Sequence, residues 1–163
     1  MRRGFSIGLL LGLMVLGSAM MSFAQEGPVL EKVWAPAEVN YGSLVKIYIK
    51  AHDPNGDMRW IVVSASKPEQ MQPTGATPIR LKKGVGTDLN GYLYWDTRQA
   101  RAKSNVEAKI FFMIEDWKGN ESETQSVVVK LVAKGAKAAQ KPSEFLETEI
   151  GPIMLPGTQR FKP

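Results

Sequence analysis

The sequence contains no cysteine and only one histidine, His52, in 163 residues. Without cysteine, this chain has no disulfides, no thiolate metal ligands, no cysteine nucleophile and no cysteine to carry a lipid anchor. A lone histidine without a paired nucleophile forms neither a catalytic triad nor a zinc site. A domain without disulfides must be stabilised by its hydrophobic core alone, and about a hundred residues are enough for one.

The excess of positive over negative charge is small. The chain carries 21 lysines and arginines against 16 aspartates and glutamates, a formal charge of +5. These charges are interspersed, and the local concentration at Arg98, Arg101 and Lys103 is typical of a solvated connection. The balance is compatible with weak attraction to anionic surfaces, but nucleic acid is not an expected partner.

The first 24 residues have a different composition. Arg2 and Arg3 are followed by an apolar run over 5–17, and Ser22 and Ala24 place small residues at −3 and −1 of a cleavage site. This pattern predicts a secretory signal peptide, and therefore a periplasmic or secreted protein with no transmembrane segment after cleavage. Two alternatives remain. The segment approaches the length of a bilayer span, which suits an uncleaved anchor, and its paired arginines suit a twin-arginine export signal.

Alternating apolar residues dominate the rest of the chain. The runs 109–115 and 125–132 are rich in β-branched and aromatic residues and are joined by a polar turn containing Gly119. Period-2 alternation on both sides of such a turn predicts a β-hairpin. We expect this hairpin to lie at the centre of a β-sandwich.

Turn signals divide the chain into short strands at the spacing of an all-β sandwich. The first strand should lie at a sheet edge, since Pro28 and Pro36 cannot donate to a ladder. In the second strand, Lys46, Tyr48 and Lys50 should face outward. We predict seven strands, at 28–34, 44–51, 58–65, 79–82, 92–97, 109–115 and 125–132.

Three motifs carry a resemblance to a known class of domain. They are AHDPNGDM after the second strand, GYLYWDT in the fifth, and IEDWKGNES between the last two. With them, 28–133 resembles a bacterial immunoglobulin-like or cadherin-like extracellular domain. The resemblance implies a single seven-stranded immunoglobulin-like β-sandwich with Trp60 as a core aromatic. It implies no particular activity, because this fold hosts many unrelated roles.

The chain changes character after the last predicted strand. The segment 134–142, KGAKAAQKP, has the composition of a flexible linker. The tail 143–163 is richer in apolar residues than a bare disordered tail. Either it folds back onto the sandwich, or it docks a partner or a neighbour's sheet edge, with Phe145 and Leu146 as candidate contacts.

Acidic and amide side chains cluster in loops that should gather at one end of the sandwich. Oxygen ligands from several loops are what Ca²⁺ requires, and DPNGD matches the opening of a Ca²⁺ loop. However, Ser64 and Ala65 stand where such a loop has its bidentate glutamate, and Asp and Asn are also the preferred residues of tight turns. We therefore predict either turn chemistry or a Ca²⁺ site formed by Asp53, Asn55, Asp57, Asp116 and Asn120. Ca²⁺ is the one cofactor that the sequence suggests.

Trp117 lies near the tip of the central hairpin, at the same end. A tryptophan on a loop is a suitable anchor for a sugar ring or a protein pocket, with Asp88 on a neighbouring loop as a second contact. Alternatively, its ring caps the core. Glu115 or Asp57 with Asp116 could form a glycosidase pair, but no catalytic motif surrounds these carboxylates.

Three functions follow from these observations. The first is a non-enzymatic exported module that binds an envelope protein or glycan, or supports the envelope, through loop ends, a sheet edge or the tail. The second is a glycan-binding or adhesion module that depends on Ca²⁺ or on the loop aromatic. The third is a small hydrolase that uses loop carboxylates.

Overall fold

A computed structural model describes residues 27–66, 75–82, 85–99 and 106–155. These ranges contain a 3-10 turn at Thr97–Gln99 and no helix with the length and hydropathy of a membrane span. The predicted signal peptide and the end of the tail, 156–163, lie outside the described residues. The described strands are β1 (Val29–Trp34), β2 (Glu38–Asn40), β3 (Leu44–His52), β4 (Met58–Ser66), β5 (Ala76–Arg80), β6 (Asp88–Asp96), β7 (Val106–Asp116), β8 (Gln125–Val132) and β9 (Glu149–Ile153).

The strands form two sheets that enclose one hydrophobic core. The first sheet has the order β1-β3-β6-β9 and the second the order β2-β8-β7-β4-β5. The all-β class and the two-sheet architecture are confirmed, with β1 at an edge and the β7–β8 hairpin inside the second sheet. The described residues hold nine strands rather than the seven predicted. The additional β2 and β9 pair in parallel with β8 and β6, and neither carries a strand signal, because one is three residues long and the other contains Gly and Pro.

The core consists of alternate side chains of the central strands. In β7, Ile110, Phe112 and Ile114 are fully buried, as the period-2 pattern predicts. In β3, the alternate residues from Val45 to Ala51 are buried in the same way. Each of the larger apolar side chains contributes about 1.5–3 kcal/mol when it leaves water, so this shared interior is the main source of stability.

Trp60 does not take the core position that the resemblance implies. Ile61 and Val63 point into the core, and successive side chains of a strand point to opposite faces. Trp60 therefore lies half-buried on the outer face of β4. The aromatic residues that fill the core are Phe112 and Trp95.

The tail folds back over the outer face of the first sheet. Phe145 is only 1% exposed, and its ring lies 5.7 Å from that of Tyr48. The Tyr48 ring also contacts Trp34 and Tyr92, at centroid distances of 5.8 and 5.6 Å. Tyr48 faces outward as predicted, but it is covered by the tail rather than by solvent.

Polar contacts attach the tail to the same sheet. The carboxylate of Glu147 accepts hydrogen bonds from Lys46 Nζ at 2.6 Å and from Tyr48 Oη at 2.7 Å. Asn90 donates to the carbonyl of Glu144 and accepts from the amide of Leu146. The tail then continues as β9 beside β6, whereas 134–142 has no regular secondary structure. Of the two predicted paths for the tail, the described part follows the intramolecular one.

The tail aromatic provides a direct test of this packing. We expect Phe145→Ala to lower the free energy of unfolding by about 3–5 kcal/mol, because it empties a buried aromatic site. The adjacent Leu146→Ala is the matched control, since Leu146 is 55% exposed, and it should change stability by less than about 0.5 kcal/mol. Urea denaturation of the two variants makes the comparison, and equal losses would contradict the described path of the tail.

The Glu147 contacts should make tail attachment sensitive to acid. Hydrogen bonds from Lys46 and then Tyr48 hold the pKa of Glu147 below its ordinary value of 4.5, while burial and the bond to Glu147 raise the pKa of Tyr48 to about 12. Because the folded-state pKa of Glu147 is depressed, its stabilisation is present above about pH 4.5 and is lost as the pH falls through that lowered pKa. At neutral pH, the urea midpoint of unfolding should be higher for the wild type than for Glu147→Gln. This difference should become smaller in acid. A difference independent of pH would contradict this role of Glu147.

Candidate binding cleft at the loop end

Three loops meet at one end of the sandwich, which we call the loop end. They are the β3–β4 loop, the β5–β6 loop and the β7–β8 turn. The amide of Asp53 donates to the carbonyl of Thr87 at 2.8 Å, and the amide of Trp117 donates to the carbonyl of Asp57 at 3.0 Å. These cross-links bring together the loops that the sequence predicts to gather.

Asp53 is fully buried beneath the first of these loops. Its carboxylate accepts hydrogen bonds from the amides of Asn55 at 3.0 Å and Asp57 at 3.2 Å. An aspartate that accepts from amides of the next few residues builds a tight turn, as Asx-turns do. Asp53 therefore shapes the β3–β4 loop.

Asp116 has the same role in the β7–β8 turn. It is fully buried, and its carboxylate accepts from the amides of Lys118 and Asn120, both at 2.8 Å, and from Asn120 Nδ2 at 2.6 Å. Burial raises the pKa of Asp116, but the hydrogen bonds outweigh burial and the pKa lies below its ordinary value. Asp116 is thus a charged acceptor enclosed by its own loop. Glu115 precedes it on β7, and neighbours on a strand point to opposite faces. The glycosidase pairs remain predictions from the sequence.

The five predicted Ca²⁺ ligands all lie at the loop end. Within the described ranges, no three acidic or histidine side chains are arranged to hold one metal ion. Asp53, Asp116 and Asn120 make hydrogen bonds with their own loops, which is the geometry of turn chemistry. The Ca²⁺ site remains a prediction from the sequence.

Asp57 differs from the other two loop aspartates. Its Oδ2 lies 3.6 Å from Lys118 Nζ, and its Oδ1 is buried with no hydrogen-bond partner in the described part of the chain. Burial, together with a hydrogen bond to Asp53 and the charges of Asp53 and Asp116, raises the pKa of Asp57. This carboxyl therefore has one buried oxygen whose hydrogen-bonding capacity the described residues do not use.

A cleft of about 370 Å³ opens beside Asp57. Its volume lies in the range of small-molecule sites, roughly 300–1,000 Å³. The β3–β4 loop, strands β4 and β5, the β5–β6 loop and the β7–β8 turn form its walls. The residues that give it its chemical character are Asp57, Arg59, Arg80, Lys82, Val85 and Trp117.

Trp117 and two arginines form one side of this cleft. Trp117 is 54% exposed, and the guanidinium carbons of Arg59 and Arg80 lie 4.4 and 5.8 Å from its ring centroid. The same two carbons lie 5.2 and 5.9 Å from the ring of Trp60. Cation–π contacts of this kind contribute about 0.5–1 kcal/mol each at exposed sites. The Trp117 ring is thus held outside the core rather than over it.

The cleft contains three cationic side chains, Arg59, Arg80 and Lys82. No ion pair among the described residues includes Arg59, Arg80 or Lys82. The Nε of Arg59 is buried and, within the described part of the chain, has no hydrogen-bond partner. A positive cleft with unfilled donors is therefore present at the loop end.

The remaining predicted contacts lie elsewhere. Asp88 is absent from the cleft wall; it pairs with His52 Nδ1 at 3.1 Å and with Thr87 Oγ1 at 2.8 Å. Hydrogen bonds from Thr87 and then His52 lower the pKa of Asp88. Phe145 is buried on the first sheet, whereas the cleft lies on the second, and Leu146 is exposed beside it. The structure does not bring these three residues to Trp117.

The sequence pattern indicated Trp117 but not the cations around it. Arg59 looked like an ordinary strand residue, and Arg80 lay in a short strand. Arg80 is the register partner of Trp60 on the neighbouring strand, so only strand pairing reveals the cluster. The pair Arg59-Trp60 next to an acidic turn was the one local signal.

Comparisons with known proteins were made for the whole chain. No protein-family model and no curated protein matches it. Among solved structures, the PKD domain of an M14-like peptidase from a Thermoplasmatales archaeon is similar, with 18% identity over 67% of this chain and 99% of that one, at a TM-score of 0.38. A family 76 glycoside hydrolase from a bovine Bacteroides thetaiotaomicron strain is similar with 13% identity over 66% of this chain and 21% of that one, also at 0.38. At these TM-scores, neither similarity carries an argument about function.

The structural role of Asp116 can be tested apart from any metal. We expect Asp116→Ala to lower the free energy of unfolding by about 3 kcal/mol, because the amides of Lys118 and Asn120 and the side chain of Asn120 lose a charged acceptor. Glu123→Ala, an exposed carboxylate of the same loop, should have an effect below about 0.5 kcal/mol.

The free energy of unfolding of both variants should be measured by urea denaturation, once with Ca²⁺ and once with chelator. Turn chemistry predicts the same loss for Asp116→Ala under the two conditions. A loss that appears only with Ca²⁺ would contradict it and would make Asp116 a metal ligand.

Proposed function

We propose that this chain is a non-catalytic binding module of the cell envelope that holds its ligand in the loop-end cleft beside Trp117. The observation that carries the proposal is the exposed tryptophan held by two arginines in a cleft of ligand size. Export is supported by the signal-peptide pattern of the first 24 residues.

The geometry of Trp117 supports a binding role. Trp and Arg are the residues most enriched at the energetic centres of interfaces, where a large surface is buried by a partner. More than half of the Trp117 surface is open, while its amide is bonded to Asp57 and its ring is held by Arg59. A side chain ordered before binding loses little conformational entropy when the ligand arrives.

The acidic residues of the loop end support a non-catalytic role. Asp53 and Asp116 are buried and accept hydrogen bonds from loop amides, so neither is available as a nucleophile or base. The single histidine pairs with exposed Asp88, outside the cleft. Among the described residues that line the cleft, Asp57 is the one carboxylate, and hydrolysis of a glycosidic bond requires two carboxylates in most glycosidases.

Substitution of the tryptophan tests the proposal. The wild-type protein should bind a glycan array or sediment with isolated cell-envelope fragments, and Trp117→Ala should lower this affinity by about thirtyfold, the equivalent of a 2 kcal/mol interface residue. Trp117→Phe should retain part of the affinity, since it keeps an aromatic ring. Chelator should have no effect, because the proposed contacts include no metal.

Val128→Ala is the control for this experiment. Val128 is another exposed apolar residue, 46% exposed on β8, and its substitution should leave binding unchanged. Equal binding by wild type and Trp117→Ala, with both variants folded, would refute the proposed function.

A further inference from the structure

We infer that the loop-end cleft recognises an acidic sugar, whose carboxylate lies against Arg80 and Lys82 while its ring stacks beside Trp117. This inference rests on the binding function proposed for the same cleft and adds the chemical class of the ligand.

The charges of the cleft indicate an anion. Arg59, Arg80 and Lys82 line one small volume, and no described carboxylate forms an ion pair with any of them. Like charges held this close repel each other, and the π faces of Trp60 and Trp117 offset that repulsion only in part. A ligand carboxylate would accept charge-assisted hydrogen bonds, and the planar fork of an arginine matches two carboxylate oxygens at once.

The exposed ring of Trp117 indicates that the anionic group belongs to a larger ligand. The exposed part of the Trp117 ring offers a flat apolar surface next to the cations. Val85 and Leu81 continue this apolar lining. A bare phosphate or sulfate ion would leave these surfaces in contact with water. The C–H face of a pyranose ring would cover them, because a flat aromatic ring suits a flat apolar face.

Asp57 indicates hydroxyl groups on the same ligand. It lines the cleft with a side chain that is 23% exposed, so its carboxyl group can accept a hydrogen bond from a ligand there. A ligand hydroxyl would donate to this carboxyl group, whereas a second anion placed there would be repelled. The cleft therefore combines a site for a donor, a flat apolar surface and a site for an anion, and a sugar that carries both hydroxyls and a carboxylate fits all three.

Two other ligand classes fit less well. A neutral sugar would satisfy Trp117 and Asp57 but would leave the three cations with no counter-charge beyond what the described residues provide. An acidic peptide would satisfy the cations, but it offers no ring with hydroxyls for Trp117 and Asp57 together. Both classes serve as comparison ligands in the experiment.

The experiment uses a glycan array that carries uronic-acid and sialic-acid glycans beside the same glycans with their carboxyl groups reduced to alcohols. We expect the acidic member of at least one pair to bind about tenfold more tightly than its reduced counterpart, since charged partners roughly double the strength of a hydrogen bond. The best ligand is then titrated against variants by calorimetry.

Lys82→Gln is the main variant, because Lys82 is exposed and its loss should not affect folding. It should weaken the acidic ligand about tenfold and leave the reduced one unchanged, and Arg80→Gln should do the same more strongly. Lys134→Gln removes one exposed positive charge beyond the far end of β8 and should change neither affinity.

The outcomes separate this inference from the proposed function. Equal binding of acidic and reduced glycans that is lost in Trp117→Ala would overturn the inference and leave the function standing. Binding of a glutamate-rich peptide in the absence of any acidic glycan would also overturn it and assign the cleft to a peptide. Binding of no array glycan and no peptide would overturn the inference, and it would overturn the proposed function too if the wild type also fails to sediment with cell-envelope fragments.

Discussion

Burial of alternate side chains between two sheets is the constraint on which the rest of the structure depends. Ile47 and Ile49 of β3 and Phe112 of β7 are wholly removed from water. A shift of one residue in either strand would exchange every buried side chain for its exposed neighbour, so the hydrophobic effect fixes the register of the central strands. That register in turn decides which residues face outward, and both the docked tail and the candidate cleft are built from outward-facing residues.

The two outer faces are used in different ways. On the first sheet, Tyr48 and its aromatic neighbours would form an exposed apolar surface, and Phe145 of the tail covers it. On the second sheet, Trp60 lies beside Arg59 and Arg80, and these guanidinium groups reach the ring of Trp117. The first face lowers its free energy by burial within the chain. The second keeps an exposed ring beside charges that pair with no described carboxylate, which is why we propose binding there.

The candidate site could be predicted in part. Asp53 and Asp116 lie in turns whose composition is visible in the sequence, and Trp117 follows directly after one of them. The cluster of cations was not predictable, because Arg80 meets Trp60 only through strand pairing. The chain between these two residues has no continuous hydrophobic alternation that would fix this pairing. The sequence also does not show that Asp57, unlike Asp53 and Asp116, lies at the cleft. Whether a loop carboxylate turns inward to its own amides or toward a cleft depends on local packing, and residue type does not determine it.

The sequence by itself determined the class of the fold, the strands with strong alternation and the gathering of the acidic loops at one end. It also predicts an export signal. These depend on local period, turn chemistry and composition, which short stretches of chain carry. Only the tertiary structure decided that Trp60 lies outside the core, that β9 joins the first sheet, that Phe145 covers Tyr48 and that two arginines lie against Trp117. Each of these depends on which distant segments become neighbours, and that is settled by the free energy of packing the whole chain.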